Sequence, residues 1–306
     1  MGGFTPESIV AVVILNWNSG DDILRCISKL IESTYKSIEV VVVDNGSIDG
    51  SSGDIRVRFP HIHFINNSSN YGFARGSNQG IRWALEHRFP YVLLLNADAR
   101  LHSAAISELL RVATSEDDIV VACPKMYLGE EGNGSQRLWF AYGTVTLWAG
   151  IFHNPAFNHL DSATWSHSID MEYASGCCML IPTSILDRVG MLDESFFAYC
   201  EDIDFSLRIR KAGFRLRYVP SAYLWHGSSQ PTERTSTSTY RYLSTRNNLW
   251  VVRKHGTWYD LIISICLLPL RSFFRIANMA ARGQWTCIPA EVRGIRDGIF
   301  SDLTQQ

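Results

Sequence analysis

The first 125 residues alternate short apolar runs with segments of helical spacing, and that alternation constrains the fold more than any other feature. Ile9–Leu15, Glu39–Asp44, His61–Asn66, Tyr91–Asn96 and Ile119–Cys123 read as strands. Asp21–Ser33, Gly76–His87 and Ser103–Ala113 read as helices; in the first of them Ile23, Leu24, Ile27, Leu30 and Ile31 recur at helical intervals. Strands that are apolar throughout have both faces covered, which calls for helices above and below a mostly parallel sheet. The expected class is α/β. A chain of 306 residues, 46% hydrophobic, can bury one large core with an appendage, and this composition excludes disorder, collagen and small disulfide scaffolds.

In open sheets of this class ligands bind beyond the carboxyl ends of the strands. Two strands end in carboxylate-bearing segments here, Asp44-Asn45-Gly46-Ser47 and Asn96-Ala97-Asp98. Asn and Asp favour turns for local reasons as well, but two such ends on neighbouring strands point to a shared site. The stretch Leu128–Asp170 lacks a period and carries Trp139, Phe140, Tyr142, Trp148, Phe152 and Trp165, which suit a core or ring stacking equally. Ala174–Ile181 then reads as a small-residue strand, Phe205–Ala212 as a helix and Leu216–Val219 as a strand, with His226 in a Ser/Gly-rich loop. Asp98 and His226 are both ligand types for a divalent cation. A hard cation typically takes one or two carboxylates and completes its shell with phosphate oxygens. Glu201, Asp202 and Asp204 follow the aromatic cluster Phe196, Phe197 and Tyr199. Carboxylates at a helix N-terminus gain from the macrodipole; a carboxylate beside apolar surface is also the setting of a general base.

These segments, taken in order, resemble the family 2 glycosyltransferases, and within them a rhamnosyltransferase-like branch acting on bacterial cell-surface polysaccharides. The matching pieces are Val12–Asn18, Val41–Ser51, Asn70–Gly80, Leu93–Ala99, Ala174–Ile181, Val189–Phe214, Tyr218–Ser229 and Thr245–Trp250, spread over residues 9 to 252. Gly72, Gly76 and Gly80 do not follow the G-x-G-x-x-G dinucleotide spacing, which weakens an oxidoreductase reading. The resemblance implies a GT-A fold and an inverting transfer from a nucleoside-diphosphate sugar. It makes Asp202 the catalytic base and places Asp98 and His226 on Mg²⁺ or Mn²⁺. Asp44 would contact the nucleobase or ribose and Arg246 the diphosphate. Asn16, Asn45, Asn70, Gly72, Arg75, Asn78, Asn96 and Glu201 would join them as substrate contacts. Asn96 stands where many glycosyltransferases carry the first Asp of their metal motif, so Asp98 and His226 would carry most of the metal binding. The donor implied is deoxythymidine-diphosphate (dTDP) rhamnose, with uridine-diphosphate (UDP) sugars as the second choice. The acceptor would be a hydroxyl of a glycan or lipid-linked oligosaccharide. A sugar nucleotidyltransferase would need a basic Gly-rich loop after the first strand, where Asn16-Trp17-Asn18-Ser19-Gly20 has neither Lys nor Arg. A non-catalytic glycan-binding scaffold could have lost Asp98 and the Glu201–Asp202 pair, and has not.

The net charge of −2 argues against a nucleic-acid partner. Its distribution is uneven: Phe205–Arg296 holds 15 Lys/Arg against 3 Asp/Glu. Such a basic third suits phosphates or lipid headgroups. Residues 1–252 are expected to form the catalytic domain, with a nucleotide-sugar half to about residue 125 and an acceptor half from 126; 253–306 would be a helical tail. Within the tail Leu261–Leu270 is apolar, too short to span a bilayer and flanked by Trp258 and Tyr259. It reads as an interfacial segment on the inner face of the cytoplasmic membrane, or as a helix packed back on the domain. Seven cysteines without metal spacing read as buried thiols of a reducing, cytoplasmic compartment. Neither a secretory signal nor a myristoylation pattern is apparent at Met1–Leu15.

Overall fold

The computed structural model describes residues 9–115, 120–132, 136–227 and 237–302. The myristoylation reading, the start of the fifth strand at Ile119 and the Ser228–Ser229 end of one matching segment lie outside the described residues. The first half of the chain runs β1 (Val10–Asn16), α1 (Gly20–Ile31), β2 (Ile38–Asp44), α2 (Ser51–Arg58), β3 (His63–Asn66), α3 (Phe73–Glu86), β4 (Tyr91–Asn96), β5 (Ala99–Leu101) and α4 (Ala105–Ala113). There follow β6 (Val120–Leu128), β7 (Leu138–Phe140), β8 (Thr144–Thr146), β9 (Ile151–His153), β10 (Ile169–Asp170), β11 (Cys178–Pro182), α5 (Leu186–Val189), α6 (Glu201–Lys211) and β12 (Arg215–His226). Three helices close the described chain: α7 (Ser238–His255), α8 (Trp258–Ala281) and α9 (Cys287–Phe300).

The central sheet has the order β10-β12-β6-β11-β4-β1-β2-β3. Its first-half strands β3, β2, β1 and β4 are all parallel, with Asn16 level with Asp44 and Leu15 with Asn96. That register carries the polar C-terminal ends of β1, β2 and β4, at Asn16, Asp44 and Asn96, to one end of the sheet. Beyond β4 the sheet is mixed: β11 enters antiparallel to both β4 and β6. Val10–Ile14 and Val41–Val43 are fully buried, as strands covered on both faces must be. Helix α3 lies unusually close to β1, since a Cβ at Gly80 would stand 2.3 Å from Val13 and one at Gly76 2.4 Å from Leu15.

Strand β12 runs seven residues past its expected end. A register shift between Val219 and Tyr223 absorbs Pro220, and pairing with β6 resumes through His226. His226 therefore ends a strand and is not in a loop, and its backbone position is fixed by Ala99 of β5 and Leu128 of β6. The expected boundary at residue 252 falls inside α7, which continues to His255. The tail packs back on α7 through α9: Thr245 donates to Glu291 at 2.7 Å, Arg275 meets the same carboxylate at 3.2 Å, and Gly294 and Gly298 lie flush against α7. Helix α8 keeps Ser264, Leu268, Ser272 and Met279 inside and exposes Trp258, Tyr259, Ile262, Ile263, Ile265, Leu270, Phe273 and Phe274. Among the described residues no helix is long and apolar enough to cross a membrane.

Candidate active site

At the edge shared by β1 and β2, Asn16 and Asp44 are both buried and bonded to each other, Nδ2 to Oδ1, at 2.8 Å. The same amide donates to Ser51 at 2.9 Å, and the second oxygen of Asp44 accepts the Ser47 N–H at 3.1 Å. Asn45 reaches the other way, donating to the Gly72 carbonyl at 3.0 Å and to Asn70 at 3.2 Å. Asn70 in turn accepts the Gly72 N–H at 2.9 Å. A network of short polar side chains thus shapes the β2–α2 loop and the entrance to α3. Arg75, in the first turn of α3, is exposed; it stacks on Tyr71 at 4.6 Å and lies 3.8 Å from Glu194. Asn78 does not join this group. It is buried one turn further on, bonded to the Leu192 carbonyl and N–H at 2.8 and 3.1 Å and to Glu194 at 3.0 Å. It ties α3 to the segment before α6.

Asp98 and His226 do come together. The Asp98 Oδ1 to His226 Nε2 distance is 3.4 Å, the Asn96 amide is 3.5 Å from the same ring nitrogen, and the Gly227 N–H donates to the Asp98 carbonyl at 2.7 Å. Both side chains are buried. Trp139 stacks on the His226 ring with centroids 4.3 Å apart and so fixes its plane. The residues fit a divalent cation: adjacent ligands of an octahedral ion with bonds of about 2.1 Å lie about 3 Å apart, close to the observed separation. Among the described residues no third His, Cys, Asp or Glu completes a cluster. The donor set is one carboxylate and one imidazole with a carboxamide beside them, which leaves the other positions to phosphate oxygens and water.

Asp202 sits in the first turn of α6. Its carboxylate accepts the Gly176 N–H at 3.0 Å and the Ile203 N–H at 2.9 Å. The residue after Gly176 offers its carbonyl to the Asn96 N–H at 2.8 Å, so a two-residue stretch of backbone connects the carboxylate to the Asn96–Asp98 turn. Burial pushes the Asp202 carboxyl above its ordinary range, against the pull of those N–H donors. Glu201 is buried, one of its oxygens has no hydrogen-bond partner, and its pKa is driven well up by burial and by the neighbouring Asp202 charge. Asp204 faces away, held low by His255 at 2.8 Å, Arg208 at 2.8 Å and Lys254 at 2.7 Å. The three acidic residues thus divide into two raised carboxyls and one carboxylate held by three basic side chains.

Arg246 is not at this surface. It is 2% exposed, stacks on Trp250 at 4.1 Å, and donates to Asn247 Oδ1 at 2.9 Å and to the Phe196 carbonyl at 3.2 Å. Two further residues, Trp139 and Asn247, were not picked out individually from sequence. Trp139 was one aromatic among many, and the Asn247 partners are backbone carbonyls some fifty residues away.

The family model described as Glycosyl transferase family 2 matches residues 11–190. The hexosyltransferase Agl10 of low-salt glycan biosynthesis in Haloferax volcanii is 29% identical over 242 residues, covering 78% of this chain and 73% of its own. The N-acetylglucosaminyl-diphospho-decaprenol L-rhamnosyltransferase of Mycobacterium tuberculosis is 26% identical over 297 residues, covering 90% and 95%. Among solved structures, GalNAc-T7 with UDP, GalNAc and Mn²⁺ superposes with a TM-score of 0.63 at 16% identity, over 82% of this chain and 49% of that one. The last comparison identifies a GT-A fold. With a family match over more than half its length and the strand-end site in place, the chain belongs to glycosyl transferase family 2 and is a glycosyltransferase.

Proposed function

We propose that the enzyme moves rhamnose from dTDP-rhamnose, with inversion, to a hydroxyl of a lipid-linked glycan acceptor. The observation that carries this reading is the connection of Asp202, through Gly176 and Cys177, to the turn bearing Asn96 and Asp98. Asp202 takes the acceptor hydroxyl proton. The freed oxygen forms its bond to the anomeric carbon as the bond to the β-phosphate oxygen breaks, and the nucleoside diphosphate leaves from the opposite side. Asp98 and His226 would hold Mg²⁺ or Mn²⁺ beside that leaving group. Bound there, the cation offsets the negative charge that builds on the diphosphate. Asn16, Asp44, Asn45, Asn70 and Gly72 shape the nucleoside pocket, and exposed Arg75 at the head of α3 is available to a phosphate. Glu201, with its raised carboxyl, faces the acceptor side. The mycobacterial relative, whose name specifies an acceptor on diphospho-decaprenol and a rhamnosyl transfer, supports both choices. The test is a thermal-shift screen of nucleotide sugars with Mn²⁺. dTDP-rhamnose at about 100 times its Kd should stabilise by roughly 2.7 kcal/mol, or several degrees. A shift with UDP-sugars alone would reassign the donor, and none with any nucleotide sugar would overturn the reading.

The same reading places the protein on the inner face of the cytoplasmic membrane, through α8. This helix is about 36 Å long at 1.5 Å per residue, and its charged residues Asp260, Arg271 and Arg275 lie off the exposed apolar side. Arg271 is bound to the carbonyls of Ala149 and Gly150. Exposed Trp148 and Ile151 flank that loop, and exposed Arg282, Arg293 and Arg296 follow at the other end. Apolar insertion with cationic edges is the signature of interfacial binding. In co-sedimentation with anionic vesicles, the Ile262→Glu, Phe273→Glu double variant should bind at least about tenfold more weakly than the unaltered chain, given roughly 1.5–3 kcal/mol per large side chain buried. Equal binding of the two proteins would assign this face to another partner.

A further inference from the structure

Of the four residues that join the 193–196 turn to α6, three are non-glycine residues with positive φ: Phe197 at 62°, Tyr199 at 70° and Cys200 at 68°. Phe197, with ψ −64°, is the centre of a three-residue turn closed by the Ala198 N–H to the Phe196 carbonyl at 2.8 Å, the less common and strained of the two γ-turn forms. Such conformations persist only where the surroundings over-determine them. Here the surroundings come from two sides. The Phe73 and Ala74 N–H groups at the head of α3 close on the Phe197 carbonyl at 2.6 and 3.3 Å, and Gly72 leaves room for that approach, since a Cβ there would stand 2.5 Å from the same oxygen. From α7, the Asn247 amide nitrogen reaches the carbonyls of Phe196, Ala198 and Tyr199 at 3.0, 2.8 and 2.8 Å. Arg246 settles which end of that amide faces the loop. Its Nε–H donates to Asn247 Oδ1, so Nδ2 must face the carbonyls, and its own Nη2 adds a bond to Phe196.

We infer that Asn247, oriented by Arg246, is the positioning residue for Asp202: it holds the strained 197–200 turn that sets the start of α6 against the head of α3. Because the turn carbonyl is also gripped by the donor-side helix, acceptor base and nucleotide-sugar half are held in one register. This inference rests on Asp202 being the base. Asn247 is fully buried, its amide nitrogen is spent on backbone carbonyls, and it acts through the backbone.

The test is Asn247→Ala in the full chain, with Asp202→Asn measured alongside. The displacement of Asp202 should lower kcat by about 10²-fold, the usual cost of an ångström-scale misplacement, while donor Kd stays within about twofold. Adding Cys200→Gly to Asn247→Ala should recover several-fold of kcat, because glycine adopts φ near +68° without strain. Wild-type kcat in Asn247→Ala, with Asp202→Asn inactive, would overturn the positioning role and leave the base assignment standing. Near wild-type turnover in Asp202→Asn would overturn the base assignment itself. A loss of kcat matched by lost donor binding and a collapsed melting temperature would reduce Asn247 to a fold residue. A loss that Cys200→Gly leaves untouched would show that holding the strained turn is not how Asn247 acts, again against the inference.

Discussion

Asp202→Asn should lower turnover by at least about 10²-fold and leave donor affinity unchanged. A general base acts on the acceptor proton, so its loss appears in kcat and not in donor binding, and contributions of 10²–10⁴ are typical. The substitution keeps the volume of the side chain but not its hydrogen bonding. Both carboxylate oxygens accept a backbone N–H, from Gly176 and from Ile203. An amide can accept only one and turns its NH₂ against the other, so some local loosening is expected, and Asp202→Ala is the fair comparison for stability. The pH profile separates chemistry from loosening. Burial raises the Asp202 carboxyl, and a base works only when deprotonated. The acid limb of kcat/KM should therefore have its midpoint above the ordinary aspartate value, with activity lost as pH falls through it. The residual activity of Asp202→Asn should lack this limb. Near wild-type turnover, or an unchanged limb in the variant, would remove Asp202 from the mechanism.

How far the site could be read in the sequence depended on how each residue is held. Asp44 and Asn96 terminate strands whose apolar runs are covered on both faces, so their places at the sheet edge follow from the run lengths alone, and β4 has the expected bounds Tyr91–Asn96. Helix α2 escaped notice because Ser51–Arg58 has hardly any apolar face; it buries only Ser51 and Ile55. The end of β12 was hidden by Pro220, which ordinarily stops a strand and here sits in a register shift. Helix α7 has no clean amphipathic stripe because it is enclosed on several sides by α6, α8, α9 and the 195–199 turn. Its Thr245, Arg246 and Asn247 are as buried as Leu249 and Trp250. Residue type alone suggests a phosphate ligand at Arg246, and it gives no sign that the guanidinium meets Trp250, Asn247 and the Phe196 carbonyl. The bonds of Asn78 to Leu192 are hidden in the sequence for the same reason. A buried amide satisfied by backbone leaves no periodic trace, whereas a buried leucine does.

Removal of divalent metal should abolish transfer, and the cause should be traceable to Asp98 and His226. Among the described residues the site offers one carboxylate and one imidazole, 3.4 Å apart, with the neutral Asn96 amide 3.5 Å from the ring. A single negative charge holds Mg²⁺ or Mn²⁺ weakly, since such ions usually rely on substrate phosphates for the remaining ligands. Mn²⁺ binding measured by calorimetry should thus be weak in the free protein and strengthened markedly by the nucleoside diphosphate. Asp98→Ala and His226→Ala should each remove that strengthening and, with it, activity. Asn96→Asp should act in the opposite direction, raising the affinity for Mn²⁺ in the absence of nucleotide because it restores a second carboxylate. Trp139→Ala, which leaves all donors in place but frees the His226 ring, should weaken metal binding by about 10- to 100-fold, the range for partners that orient metal ligands. Full activity in EDTA, on protein shown to be free of metal, would exclude the assignment whatever the binding data say. Mn²⁺ affinity that ignores both the nucleotide and the Asp98 and His226 substitutions would move the ion elsewhere.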